Sequence, residues 1–328
     1  MKLTQEWDKI FPQSDKVVHQ KVTFRNRYGI TLAADLYAPK DTFGKLPALA
    51  ISGPYGAVKE QASGLYAQTM AERGYVTIAF DPSFTGESGG AMSAGGDVEM
   101  RLIASPEINT EDFSAAVDFL GLQDNVDRNK IGVIGICGFG GFALNATAVD
   151  KRIKAVVTAS MYDMSRVTSK GYFDSMTAEQ RTAALTAMSL QRWADAEACT
   201  PALSGLGLPN ALSGQEPQFV ADYFDFYKTP RGFHPRSINS NGSWTITNAL
   251  SLMNMPLLSY IDEISPRPML LIAGEKAHSL YFTEDAFDCA AEPKEKLILD
   301  GMVHVDLYDQ LDKIPFNRID AFFGEHLA

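Results

Sequence analysis

Cys137 lies in Gly135-Ile136-Cys137-Gly138-Phe139-Gly140-Gly141, between the apolar run Ile131 to Ile136 and the Ala-rich run Phe142 to Val149. A strand-to-helix turn that sharp leaves little room for side chains around its central residue and lifts that residue clear of the sheet. The sulfur would then sit at a helix N-terminus, where unpaired N–H groups favour a thiolate. The pattern predicts a nucleophile elbow, with Phe139 where a glycine is usual and the glycine one residue later. Two other uses of these residues compete. Cys137 could be a buried structural cysteine. Alternatively, Gly138 to Ala143 fits the G-x-G-x-x-A dinucleotide loop, with Asp163 as the ribose-binding acid. That loop normally opens the first βαβ unit, whereas this one follows several strands.

A base is available late in the chain. Glu295 to Leu299 reads as a last strand, followed by Asp300-Gly301-Met302-Val303-His304 and a closing helix from about Pro315 to Leu327. A neutral imidazole at His304 could take the thiol proton and return it to a leaving group. The order nucleophile, acid, histidine also fits a hydrolase of α/β type. The acid is ambiguous. After the apolar run Met269 to Ala273, the usual acid position, three residues beyond Gly274, holds Ala277. Glu275 in the same loop is the first choice to orient the imidazole, and Asp163 is the alternative.

These groups need a scaffold. Lys16 to Phe24 and Ile30 to Tyr37 read as a hairpin around Asn26 to Gly29. Strand signals at Leu46 to Ile51, Tyr75 to Phe80, Ile131 to Ile136 and Ile153 to Ala159 then alternate with helical spacing. The helical stretches are Lys59 to Arg73, a segment capped by Asn109, and the run after Cys137. A long Gly/Ser-rich loop spans Asp81 to Asp97. Such alternation implies an α/β fold, a mostly parallel central sheet flanked by helices. Between about Met161 and Ser265 the alternation stops, and helical runs at Thr177 to Ala198 and Gln215 to Tyr227 take over. The reading is a core of residues 1–160 and 266–328 with a helical cap, 161–265, over the C-terminal edge of the sheet. Trp193 and Trp244 in the cap are candidate acyl-group contacts. Arg231 and Arg236 could hold a substrate carboxylate.

Composition narrows the class. The chain has 328 residues, a formal charge of −11 and 45% apolar residues. The acidic balance argues against a nucleic-acid or anionic-membrane partner. No apolar run approaches the roughly 20 residues of a membrane span, and the start carries no signal-peptide core. Cys137, Cys199 and Cys289 form an odd set without metal-ligand spacing, which points to free thiols and the cytoplasm. No cofactor or metal is implied. The partner is a small-molecule acyl substrate, and a homo-oligomer is left open.

Gly135 to Gly141, the segment Ala79 to Gly90 and Gly301 to His304 resemble the dienelactone-hydrolase-related branch of the α/β-hydrolases. Ser160 to Met164, Pro230 to Arg236 and Gly274 to Ser279 resemble an under-characterised bacterial group within it, to which fungal polyketide transferases and thiohydrolases are similar. The resemblance runs from about Lys16 onward. It implies an α/β-hydrolase fold and a Cys-His-acid hydrolase or acyltransferase. It also implies an oxyanion hole built by the backbone N–H of Gly138 and of Tyr55, since Pro54 has no N–H to offer.

The expected chemistry is attack of Cys137, deprotonated by His304, on an ester, lactone or thioester carbonyl to give an acyl-enzyme. Sulfur is a good leaving group, which favours activated acyl donors over amides and argues against a peptidase. An acyltransferase on the same scaffold, a nucleotide-binding oxidoreductase and a catalytically degenerate binding protein are the alternatives.

Overall fold

The computed structural model describes Leu3, residues 6–89 and residues 101–328; the end of the expected Asp81–Asp97 loop lies outside them. The strands are β1 (Val17–Arg25), β2 (Thr31–Pro39), β3 (Leu46–Ser52), β4 (Val76–Phe80), β5 (Val126–Ile136), β6 (Val156–Ala159), β7 (Met269–Gly274) and β8 (Lys294–Leu299). The helices of the first half are α1 (Ala62–Ala71), α2 (Pro106–Gly121), α3 (Gly138–Val149), α4 (Met164–Lys170) and α5 (Ala178–Ala198). They are followed by α6 (Gln218–Lys228), α7 (Ile238–Asn241), α8 (Ala249–Leu252), α9 (Leu280–Cys289), α10 (Asp306–Asp309) and α11 (Phe316–His326).

One eight-stranded sheet runs β1-β2-β4-β3-β5-β6-β7-β8. The hairpin β1–β2 is antiparallel, β2 joins β4 antiparallel, and every later pairing is parallel. Asn26 makes the hairpin by accepting from the backbone N–H groups of Tyr28 and Ile30. The parallel strands β4, β6 and β7 are buried along their whole length, which is why they read as continuous apolar runs rather than alternating ones. Helix α1 packs with α11, and α2 packs with α3, so both faces of the sheet are covered. Ser105, not Asn109, caps α2: Ser105 Oγ accepts from Ile108 N, and Asn109 Oδ1 accepts in turn from Ser105 N at 2.9 Å. This reciprocal pair resembles a capping box, which moves the helix start four residues earlier than Asn109 suggests.

Helices α4 to α8 fill the interval between β6 and β7. Thr177 and Gln180 form a capping box on α5, yet Met188 is the one buried residue of that 21-residue helix. Among the described residues, no helix is long and apolar enough to cross a membrane.

Candidate active site

Cys137 follows β5 directly and is the N-cap of α3, with φ +52° and ψ −125°. A non-glycine residue in that region stores roughly 1–3 kcal/mol of strain, held here by surrounding hydrogen bonds. Cys137 N donates to Ala159 O at 2.9 Å, and its carbonyl accepts from Gly140 N and Tyr162 N, each at 2.9 Å. The displaced glycine now has a reason. A Cβ on Gly140 would lie 2.5 Å from that of Met161, whereas Phe139 turns into the core against Phe142 and Phe113. The same packing removes the nucleotide-loop reading. Cβ atoms on Gly138 and Gly141 would lie 2.6 Å from Tyr55 Cβ and Tyr162 O, so protein atoms fill the space a pyrophosphate would need. Asp163 instead caps α4, accepting from Arg166 N at 3.0 Å and from the Ser165 hydroxyl.

The backbone N–H groups of Gly138 and Tyr55 and the hydroxyls of Tyr308 and Tyr223 are polar neighbours of the sulfur that favour its charged form. Tyr55 is held by the β6–β7 interval. Asn239 Nδ2 donates to Tyr55 O at 2.7 Å, Ser237 Oγ donates to Gly56 O at 2.9 Å, and Trp244 packs on the Tyr55 ring at 4.4 Å.

His304 is fully buried and does not hydrogen-bond the sulfur itself. Its Nε2 is 2.8 Å from Tyr308 Oη, and Tyr308 lines the cavity beside Cys137. On the other side of the ring, Nδ1 is 2.6 Å from Ser279 Oγ. Neither predicted acid reaches the imidazole. Glu275 is exposed and accepts from Gly301 N at 2.9 Å, and Asp163 is spent on its helix cap. The loop after β7 does present a partner to His304, but it is a hydroxyl, two residues beyond the usual acid position at Ala277.

Burial sets the charge states. It pushes the Cys137 thiol above its ordinary range despite these polar neighbours, so the thiolate expected from the helix N-terminus is not the resting form. Burial, with His278 nearby, holds His304 well below the usual histidine range. Thiol and imidazole are both neutral at pH 7.

The sulfur faces a cavity of about 440 Å³ whose lining includes Tyr55, Tyr162, Tyr172, Tyr223, Tyr227 and Tyr308. None of the described residues lining it is charged, and most come from between β6 and β7. The predicted carboxylate binders lie elsewhere. Arg231 is clamped by Asp309 at 2.7 and 2.9 Å and by Asp225 at 2.8 Å. Arg236 pairs with Asp8 at 2.6 Å and Glu60 at 2.7 Å. Trp193 is 71% exposed on α5. Trp244 is near the site only through Tyr55.

The sequence model described as X-Pro dipeptidyl-peptidase (S15 family) matches residues 28–229. The chain belongs to the S15 family. That match takes in the elbow and α6 but ends before β7 and the His304 loop. An uncharacterized protein of Pseudomonas aeruginosa, PA2218, is 66% identical over all of this chain and 86% of its own length. Its crystal structure superposes with a TM-score of 0.94, covering 99% of this chain and 98% of that one. A thiohydrolase of Aspergillus aculeatus, aneE, is 25% identical over 80% of this chain and 78% of its own. The polyketide transferase grgF of a Penicillium species is 24% identical over 97% of this chain and 98% of its own. The crystal structure of that α/β hydrolase, GrgF, shares the fold with a TM-score of 0.77 at 22% identity over 94% and 99% of the two chains. The fold is that of the α/β-hydrolases. Assignment to the dienelactone-hydrolase-related branch rests on the motif resemblance alone.

Proposed function

We propose that this α/β-hydrolase-type enzyme hydrolyses an ester, lactone or thioester through a covalent acyl-enzyme on Cys137. The observation that carries the reading is one strained, buried sulfur at a strand-to-helix turn, facing a cavity it shares with Tyr55 and with a tyrosine hydrogen-bonded to a histidine. The S15 family is serine-based, so sulfur at this elbow is a departure that shifts the chemistry toward activated acyl donors and away from peptides.

In the acylation step the Cys137 S–H proton passes to Tyr308 Oη as the Tyr308 proton passes to His304 Nε2. The sulfur attacks the acyl carbonyl, and its oxygen becomes an oxyanion held by Gly138 N–H and Tyr55 N–H. Collapse breaks the bond to the leaving group, which takes a proton back along the same path. Ser279 supports the imidazole by accepting from Nδ1–H, the tautomer that leaves the Nε2 lone pair free. Water then releases the acyl group.

Residues 161–265 act as a cap, and its uncharged, tyrosine-rich wall suits a neutral acyl group with oxygen atoms to bond. The same cap supports acyl transfer to a larger acceptor as the second reading, since a wall that excludes water favours a bound alcohol or thiol over bulk hydrolysis. A nucleophile that must stay reduced fits the cytoplasm. Cys137, Cys199 and Cys289 are all free.

Stopped-flow hydrolysis of p-nitrophenyl acetate tests the reading. The wild type gives a burst of nitrophenolate followed by slower turnover, and Cys137→Ala gives neither. Unchanged turnover in Cys137→Ala removes the sulfur from the mechanism.

A further inference from the structure

A second chain of hydroxyls opens on the cavity that the sulfur faces, and the steps above make no use of it. Tyr223, on α6, lines the cavity that Cys137 faces, and its hydroxyl favours the charged form of the thiol. Its Oη also lies 3.2 Å from Tyr162 Oη and 3.5 Å from His278 Nε2. Tyr162 Oη is hydrogen-bonded to the same Nε2. The His278 ring is fixed by stacking on Phe219 at 4.5 Å, with 21° between the planes. Two tyrosines thus share the cavity of the sulfur, each in reach of a histidine. Tyr308 and His304 come from the region after β8, whereas Tyr223 and Tyr162 come from between β6 and β7.

An acyl-enzyme cycle has two proton transfers to manage, one from the thiol and one from the acceptor that ends the cycle. We propose that Tyr223, Tyr162 and His278 form the proton path of the second half-reaction, with Tyr223 at the reacting atoms and His278 as the terminal base. The proposal rests on the acyl-enzyme reading above. With the sulfur held in a thioester, it no longer competes for Tyr223. The proton of an incoming water or alcohol passes to Tyr223 Oη, that of Tyr223 to Tyr162, and that of Tyr162 to His278 Nε2. The acceptor oxygen bonds to the acyl carbon, the carbon–sulfur bond breaks, and the electron pair stays on sulfur. The proton on His278 then returns through Tyr162 and Tyr223 to the sulfur, restoring the thiol. Burial supports these roles. It lowers His278 to about 4, which leaves a neutral acceptor at pH 7, and it pushes both tyrosines up, so they carry protons without ionising.

The test uses the full chain with His278→Gln and Tyr162→Phe, the second keeping the question open should the first fail to fold. Stopped-flow with p-nitrophenyl acetate is expected to give a burst rate within about twofold of wild type. Turnover falls by about 10²–10⁴-fold, the usual worth of general base catalysis. Hydroxylamine, which attacks a thioester without a base, is expected to restore turnover. Variants with wild-type turnover overturn the proposal, as do variants whose burst and turnover fall together. Absence of any acyl group on wild-type Cys137 would instead overturn the acyl-enzyme reading, and this inference with it.

Discussion

The molecule buries polar groups in two places and treats them in opposite ways. Around Cys137 the buried groups are uncharged at neutral pH: a thiol, tyrosine hydroxyls, Ser279 and two imidazoles. Around Lys59 they are ions. Its Nζ lies 2.6 Å from Glu87, 2.8 Å from Glu60 and 2.9 Å from Asp81, with its side chain wholly buried. Lys21, Arg236, Asp8, Lys9 and Asp35 extend the cluster across β1, β2 and the interval between β6 and β7. Burial alone would discharge Lys59, but Asp81, Glu60, Asp35 and Glu87 outweigh it and keep the ammonium charged. Burial likewise opposes ionisation of Glu60, yet Lys59, Arg236 and Lys21 hold its carboxyl below the usual range. Fixed ions lock segments together because removing one strands its partner in a low dielectric. Neutral hydrogen-bonded groups can pass protons at little cost, since no net charge need be buried at rest. One region ties residues between β6 and β7 to β1, β2 and the loop after β3, and the other holds its buried groups neutral.

Breaking the charged region should show first in stability. Lys59→Met leaves Asp81, Glu60 and Glu87 without their shared cation, a loss of about 3–5 kcal/mol. Thermal denaturation should show a melting temperature lower by roughly 5 °C, with the burst rate of the protein that stays folded close to wild type. An unmoved melting temperature would mean the cluster contributes nothing to the lock.

Breaking the neutral region should do the reverse. Tyr308→Phe removes the hydroxyl between Cys137 and His304, so the burst rate should fall by about 10²-fold or more. The melting temperature should move only slightly. A burst at the wild-type rate would mean that His304 reaches the sulfur without Tyr308.

A smaller effect separates the two tryptophans. Trp244→Ala removes a stacking contact with Tyr55 worth about 0.5–1.5 kcal/mol and should loosen one oxyanion donor, slowing acylation severalfold for every ester. Trp193→Ala, at an exposed site, should leave rates and chain-length selectivity unchanged. A shift in selectivity with Trp193→Ala would bring α5 into the substrate path.

The smallest effects belong to the carboxylates. Asp163→Asn should cost at most about 1 kcal/mol as a weakened helix cap, and Glu275→Gln should stay within about 0.5 kcal/mol. Neither should slow the burst. A tenfold slower burst in either variant would return that residue to the triad position.

The elbow and the strands beside it were legible because apolar runs and glycines report local geometry. Phe139 read as a departure only because the sequence does not show Met161 pressing on Gly140. His304 was legible from its loop after the last strand. Tyr308 was not, although it lies on the short helix that begins two residues after His304; tyrosine is common and its role needs the sulfur in view. Tyr223, Tyr162 and His278 lie far apart in sequence and meet only when the interval between β6 and β7 folds against the loop after β7. The acid was misread because the search was for a carboxylate, and Ser279 offers a hydroxyl. Arg231 and Arg236 read as candidate carboxylate binders because most of their partners, Asp309, Asp8 and Glu60, are distant along the chain; Asp225, six residues from Arg231, is near enough to have suggested a salt bridge.

The central claim is that Cys137 carries the acyl group, and it can be read directly. The enzyme is mixed with p-nitrophenyl acetate, quenched in acid within the burst, digested and mapped by mass. The account predicts one acetyl group on the Cys137 peptide, removed by hydroxylamine at neutral pH as a thioester would be. An unmodified Cys137 peptide during turnover, or an acetyl group on another residue that matches the burst in amount, would contradict it.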